Sequence, residues 1–446
     1  MRNPHRRIWA VVAAVFLVGP FAACSHSPQG TDYVPPGPFA NVRLASSDLW
    51  SGGDVTVISS SFKSLATLPA MQVAGVARTV RRINDSTIAA QLPDTDATVP
   101  VKVVADSFAS FETSATVHGF QQMRVGPVMP GVVQALPGQA AVIGAGAVGL
   151  IEVNLRSNTI QRQFPDTVHS IDCMRGVGQS VVPGHFVLYG KTAAGGGVEA
   201  CTSVTSWLYG TTPARTNSLL FVGGPAVWTA AEIGRGGSIS GSSNVFDLER
   251  CGLGVCPPSN VDCQSCRNLT GVTIGALAQR AVTHTTGHMV FNTATGDSVF
   301  RFPFPNGGHL DGAVFSPAED TVYAIGAGTV IMAKSADGTV YRSVTVSNDA
   351  PVTGIGRDDQ SAWIYVLSIW GTNRPPQLTV LDRATLATVA VVRAPASAIL
   401  QELDGWDTIR FVRDPAANRL FVVVTEADPP SHTQTSRILS YGVPYP

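Results

Sequence analysis

The stretch Asp311-Gly-Ala-Val-Phe-Ser-Pro-Ala-Glu-Asp-Thr-Val-Tyr-Ala-Ile325 decides how the rest of this chain is read. It is a short apolar run, a turn built around Pro317, and a second apolar run: strand, turn, strand. Close behind it comes Val330-Ile-Met-Ala-Lys-Ser-Ala-Asp-Gly-Thr-Val-Tyr-Arg342, two strand-like runs around Asp337-Gly338, which is the signature of a β-hairpin. Both pieces recur. Thr408-Ile-Arg-Phe-Val-Arg-Asp-Pro-Ala-Ala-Asn-Arg-Leu-Phe-Val422 repeats the first. Gly149–Ile160, Met289–Phe302 and Leu378–Val389 repeat the second, each with a polar turn of Asp or Asn, Thr and Gly.

Alternating the two pieces gives four short strands per unit of about 40–50 residues, the period of a β-propeller blade. Residues 121–446 then hold roughly seven blades. Composition agrees. Only 14% of residues are charged, while the chain has 44 Gly and 30 Pro. Long amphipathic helices need more Lys, Glu and Arg than that, and many short strands between turn formers need less. Gly307–Gly326 (GGHLDGAVFSPAEDTVYAIG) resembles the inner strands of WD40- and YVTN-type propeller repeats, and Val380–Val392 (VLDRATLATVAVV) resembles their outer hairpin. The Trp-Asp ending of WD40 repeats is missing. The resemblance implies a structural role for His309 and Asp311, knitting neighbouring strands. Residues 166–270 are the least regular part of the array.

Residues 39–120 read differently. Asp54-Val-Thr-Val-Ile58 and Val99-Pro-Val-Lys-Val-Val104 alternate, and Glu112–His118 is a further strand, with turn signals at Ser51-Gly-Gly-Asp54, Asn84-Asp-Ser86 and Pro93-Asp94. About eighty residues of this kind suit an immunoglobulin-like β-sandwich. The order SGGDVTVISSSF, MQVAGVARTV, RRINDSTIAAQLP, VPVKVVAD and VHGF resembles the TIG/IPT family of immunoglobulin-like domains, although Ser59-Ser60-Ser61 replaces the Gly usual after the first strand. That resemblance implies a spacer or binding module. The expected fold class is therefore all-β: a sandwich over 39–120 followed by a propeller over 121–446.

The first 24 residues read as a targeting segment. Arg2, Arg6 and Arg7 precede the apolar run Ile8–Val18, and Ala22-Ala23 precede Cys24. Phe21-Ala22-Ala23-Cys24 resembles the lipobox of bacterial lipoproteins, with Phe21 where Leu is usual. The resemblance implies acylation of Cys24 and a lipid anchor in a membrane. An ordinary secretory leader, giving a soluble secreted protein, is the alternative. Residues 25–38, polar and Pro-rich, suit a flexible tether. Without the leader's three arginines the balance is 27 basic against 31 acidic residues, or −4. No Lys/Arg cluster follows the leader, so nucleic acid is not an expected partner.

Six cysteines remain: Cys173, Cys201, Cys251, Cys256, Cys263 and Cys266. An even number in an exported chain points to disulfides. Four thiolates within Cys251–Cys266 are also the raw material of a zinc site. Their spacing is irregular and the compartment oxidising, so disulfides are the reading, with no metal.

Motifs with chemistry are incomplete. Gly144-x-Gly146-x-x-Gly149 matches a dinucleotide fingerprint but runs into the strand-like Leu150–Leu155 rather than a helix. His284 and His288 flank Thr-Thr-Gly and lack the Glu of a metalloprotease helix. Gly236-Gly-Ser-Ile-Ser-Gly241 comes near G-x-S-x-G without the right count, and reads as a Gly/Ser loop. Asp94/Asp96, Asp358/Asp359 and Asp404/Asp407 are acidic clusters without the spacing of a calcium loop. Trp207, Trp228, Trp370 and Trp406 serve either a binding face or packing. No cofactor is expected. The function these residues suggest is a non-catalytic cell-envelope lipoprotein binding an envelope protein or glycan. The alternative is a propeller enzyme, a glycan or peptide hydrolase or lyase, with carboxylates in the central funnel.

Overall fold

In Asp54–Ile58 every second side chain is a valine that water does not reach: Val55 and Val57 are fully buried. That is the period by which a strand turns one face to a core. The computed structural model describes residues 41–105, most of 110–165, the strands between 174 and 244, and most of 272–445. Strands between Arg43 and His118 form two sheets. One runs in the order Arg43–Leu44, Asp54–Ile58, Thr87–Gln91 and Val80–Asn84. The other runs Asp48–Trp50, Ser110–His118, Ala97–Val104, Ala70–Val73 and Val76–Arg78. Val55, Val57 and Ile88 from the first sheet meet Met71, Val73, Val101, Val103 and Val117 from the second in one core, with Phe62 between. The hairpin Ala70–Arg78 turns at Ala74 and Gly75, both at positive φ (54° and 76°), as a two-residue turn matching strand twist requires.

From Phe120 onward the described strands are consecutive antiparallel sheets, and none of the described residues is α-helical. Blade 1 comprises Gln134–Ala135, Ala141–Gly146, Gly149–Asn154 and Thr159–Pro165. Blade 2 comprises Met174–Gln179, His185–Gly190, Ser203–Leu208 and Ala214–Leu220. A two-stranded ribbon, Gly237–Ile239 with Ser242–Asn244, comes next. Blade 3 is Val272–Ile274, Arg280–Thr283, Met289–Asn292 and Ser298–Arg301. Blade 4 is Gly312–Phe315, Thr321–Gly326, Thr329–Lys334 and Val340–Thr345. Blade 5 is Val352–Arg357, Trp363–Ile369, Gln377–Asp382 and Thr388–Arg393. Blade 6 takes Ile409–Asp414, Arg419–Ala427 and Gln434–Gly442 from the end of the chain and its outermost strand, Phe120–Val125, from the beginning. The first strands of blades 3, 4, 5, 6 and 1 lie side by side in that order. This is a β-propeller whose ends are joined in one sheet. The recurring strand-turn-strand pieces of the sequence are the first and second strands of blades 4 and 6. The recurring hairpins are the third and fourth strands of blades 1, 3, 4 and 5.

The inner strands fit by knob and hole. Ile355 of blade 5 lies over Gly312 of blade 4, and Ile409 of blade 6 lies over Gly354, where an added β-carbon comes within 2.8 Å of the Ile409 Cβ. Gly356 receives Phe411 in the same way. A β-carbon at Gly354 or Gly356 meets Ile409 or Phe411 closer than 3.0 Å, so the neighbouring blade's side chain or strand must shift.

The sandwich is fused to the propeller along blades 5 and 6. Trp50, 4% exposed, stands edge-on to Trp363 (5.4 Å between centroids) and Tyr365 (6.0 Å) in the core shared by those blades. Gly52, at φ 68°, lies so close to the carbonyl of Val391 that no β-carbon fits. Asp96 accepts from the Gly119 amide at 3.0 Å and from Gln121 Nε2 at 2.9 Å, Gly442 donates to the Gly119 carbonyl at 2.8 Å, and Asp94 pairs with Arg393 at 3.7 Å. Residues Asp94 and Asp96, an acidic cluster in the sequence, are thus joints between the two parts.

Trp50→Ala is expected to cost about 3–5 kcal/mol, the range for emptying a buried tryptophan site. Gly356→Ala is expected to cost about 1–3 kcal/mol by overpacking. Urea unfolding followed by far-UV circular dichroism measures both; a Trp50→Ala loss below about 1 kcal/mol contradicts the packing described.

Candidate functional site

Each blade has two ends. One carries the turns between its first and second, and third and fourth, strands. The other carries the turns between second and third strands and the links to the next blade. The register Phe120↔Tyr441 to Val125↔Arg437 brings the chain into blade 6 from the sandwich at the first of these ends.

That end is held by buried acids reaching between blades. Asp358, fully buried, accepts from Tyr365 Oη at 2.8 Å, from the Gln360 amide at 2.8 Å and from Arg413 Nε of blade 6 at 3.2 Å. Burial, and then the Asp358 carboxylate, push the Tyr365 phenol well above its ordinary range. Asp414 of blade 6 takes a two-pronged bond from Arg156 of blade 1, at 2.6 and 2.5 Å. Glu319 of blade 4 accepts the amides of Leu277, Gln279 and Arg280 in the first turn of blade 3. Removing one partner of such a pair leaves a buried charge unsatisfied. Asp358 and Asp359, an acidic cluster in the sequence, do not act as a pair: Asp359 turns to Arg357 at 2.5 Å.

The opposite end is chemically different. Asp311, half-buried at the start of blade 4, accepts from Thr353 Oγ1 of blade 5 at 2.5 Å. Burial pushes its carboxyl up to about 6, against the opposing pull of the Thr353 hydrogen bond. In the same cross-strand row as Thr353 stands Ser368, whose Oγ is buried without a hydrogen-bond partner. At the rim of the same blade, Asp349 accepts from Trp370 Nε1 at 3.0 Å and pairs with Arg374, whose guanidinium lies 5.1 Å over the Trp370 ring. The bonds from Trp370 and then Arg374 hold the Asp349 carboxyl below its usual range. Arg374 and Asp349 have more than half of their side-chain surface in water. An exposed ion pair contributes at most about 1 kcal/mol to stability, so this pair does little to hold the fold.

Of the other residues singled out in the sequence, Gly144, Gly146 and Gly149 lie on adjacent strands of blade 1, with Gly146 paired to Gly149. They open no helix and offer no helix N-terminus to a pyrophosphate. Residues 237–239 and 242–244 form a ribbon rather than a loop, and Trp207 lies within a strand of blade 2. Cys24, Cys173, Cys201, Cys251, Cys256, Cys263 and Cys266 lie outside the described residues, as do His284, His288, His309, Trp228, Asp404, Trp406 and Asp407. Among the described residues no group of three or more His, Cys, Asp and Glu could hold a metal ion. Asp349 and Arg374 were not singled out in the sequence. The turn formers around them, Ser347-Asn-Asp-Ala-Pro351 and Gly371-Thr-Asn-Arg-Pro-Pro376, are the signal that marks both as rim loops.

No known protein family and no curated protein matches the chain. Among solved structures it is similar to the β-propeller domain of Cps50 (Swd1) from Myceliophteria thermophila, at 11% identity over 73% of this chain and 99% of that one, with a TM-score of 0.48. A chain of the mitotic checkpoint complex is similar at 10% identity over 73% and 92%, with a TM-score of 0.49. The architecture here rests on the order and closure of the blades themselves.

Below pH 4 the folded protein and the unfolded chain both hold the Asp311 proton. Between about 4 and 6 only the folded protein does, so its contribution to stability is lost as pH rises through 6. The stability of wild type minus that of Asp311→Asn is expected to fall between pH 4 and 7, by at most about 3 kcal/mol. Urea unfolding of both proteins across that range checks it, and a difference that rises with pH contradicts it.

Proposed function

We propose that this protein is a non-catalytic cell-envelope scaffold, lipid-anchored through Cys24, which presents the rim of blades 4 and 5 to a partner in the envelope. The observation that carries the reading is the contrast between the two ends of the propeller. At the end nearest the junction with the sandwich, Asp358, Asp414 and Glu319 are buried and bonded between blades, while at the other end a bonded Trp, Arg and Asp stand at the rim. Loops on a rigid scaffold are where recognition concentrates.

The finer parts of the reading come from the sequence. The two-sheet module is an immunoglobulin-like domain of the TIG/IPT kind, serving as a spacer. With the ribbon at 237–244 counted as a blade, the propeller has seven. The six cysteines beyond Cys24 form disulfides. An acylated Cys24 and a flexible tether over 25–38 would keep the fused module and propeller at the membrane.

Two measurements test this. Detergent phase partitioning is expected to place the wild type in the detergent phase and Cys24→Ala in the aqueous phase; a wild type found in the aqueous phase contradicts the anchor. Crosslinking in the native envelope, read by mass spectrometry, is expected to recover a reproducible protein or glycan partner. Recovery of none above background, together with turnover of an envelope polymer by the purified protein, overturns the scaffold reading.

A further inference from the structure

The side chains of the blade 5 rim cluster are bonded to one another. Asp349 holds the Trp370 indole by its N–H and Arg374 by its guanidinium, and Arg374 in turn lies over the indole ring. The long or bulky side chains of Trp370 and Arg374 are therefore held about one carboxylate at a surface where little stability is gained by holding them. Fixing side chains before contact removes the ordering cost that an interface otherwise meets on binding. Tryptophan and arginine are also the residues most enriched among those that dominate protein–protein binding energy.

The chemistry of the cluster narrows the partner. Arg374 is charged at every physiological pH and carries five N–H donors in a flat fork, which matches a carboxylate bidentately. Its guanidinium carbon lies 5.1 Å over the Trp370 ring, which keeps the fork beside the indole. Asp349, held below its usual carboxylate range, stays ionised and repels a carboxylate approaching from its own side, so an incoming acid is directed to the donors turned away from Asp349. The edge of the indole offers apolar surface beside that point. Below the rim, Asp311 and Thr353 bridge the inner strands of blades 4 and 5, keeping the two blades that flank the cluster at a fixed spacing.

We infer that Trp370, Arg374 and Asp349 form the binding hot spot of the propeller, recognising a protein segment in which a Glu or Asp side chain lies next to an apolar one. The partner's carboxylate takes the free side of the Arg374 fork, and its apolar neighbour packs on the Trp370 indole. This inference rests on the scaffold reading and makes it specific.

The test is a displayed library of random ten-residue peptides selected on the full-length protein, followed by affinity measurement of the recovered peptides on wild type, Trp370→Ala, Arg374→Glu and Arg374→Lys. Selected peptides are expected to share an acidic residue beside an apolar one. Affinity is expected to fall at least tenfold with Trp370→Ala and Arg374→Glu, and less with Arg374→Lys, which keeps the charge and loses the fork. Unfolding midpoints within 2 °C of the wild type are expected for both Arg374 variants, because that side chain is exposed; where Trp370→Ala, at a partly buried position, unfolds early, Arg374→Glu decides. No enrichment, enrichment without an acidic residue, or peptides that bind the variants as well as the wild type overturn the inference. An oligosaccharide array run alongside overturns it too if sugars bind in a Trp370-dependent way and peptides do not. Envelope crosslinks that survive Arg374→Glu leave the scaffold reading standing while this hot spot falls.

Discussion

The structure depends on one short strand. Phe120–Val125 leaves the sandwich and becomes the outer strand of a blade whose other three strands come from the last part of the chain. Gln121 takes a hydrogen bond from Ser440, 319 residues away. This pairing joins the first and last strands of the propeller in one blade. Holding such distant segments together costs chain entropy that grows slowly with loop length. Two features around the strand offset that cost. Trp50 sits in the core shared by blade 5 and the closing blade 6. Arg124 donates to the carbonyls of Leu155 and Arg156, which ties the same strand to blade 1.

From that closure the difference between the two ends of the propeller follows. Once the ring is shut, neighbouring blades are pressed together at the centre, and glycines at Gly312, Gly354 and Gly356 let branched or aromatic side chains of the next blade sit against the backbone. At one end the blades are further tied by Asp358, Asp414 and Glu319, whose carboxylates are buried and bonded across blade boundaries. At the other end Asp311 is half-buried and bonded to the buried Thr353, and Asp349, Trp370 and Arg374 are tied to one another at the rim.

The parts of this arrangement written in local sequence were legible. Asp54–Ile58 is a strand with the bounds its alternation indicates, and the hairpins around Asp337-Gly338 and Asn154–Asn158 form because turn chemistry and period-two burial act over a few residues. The blade period followed from those pieces. Contacts between residues far apart in sequence were not legible. Trp50 gave no sign of being shared with Trp363 and Tyr365, and Asp94 and Asp96 read as an acidic cluster because their partners, Arg393, Gly119 and Gln121, belong to or adjoin another part of the molecule. The rim cluster was half visible: Trp370 stood out as an aromatic near turn formers, while Asp349 lies in a different loop and is joined to it only by the fold.

The central claim is that sandwich and propeller are one cooperative body joined through Phe120–Val125 and Trp50. Native-state hydrogen exchange across a denaturant series tests it directly, by comparing the amides of Ala97–Val104 in the sandwich with those of Phe120–Val125 and Gln434–Gly442 in the closing blade. The account predicts that all three segments open together at the free energy of global unfolding. Opening of the sandwich strand at a lower free energy, with the closing blade still protected, would contradict it.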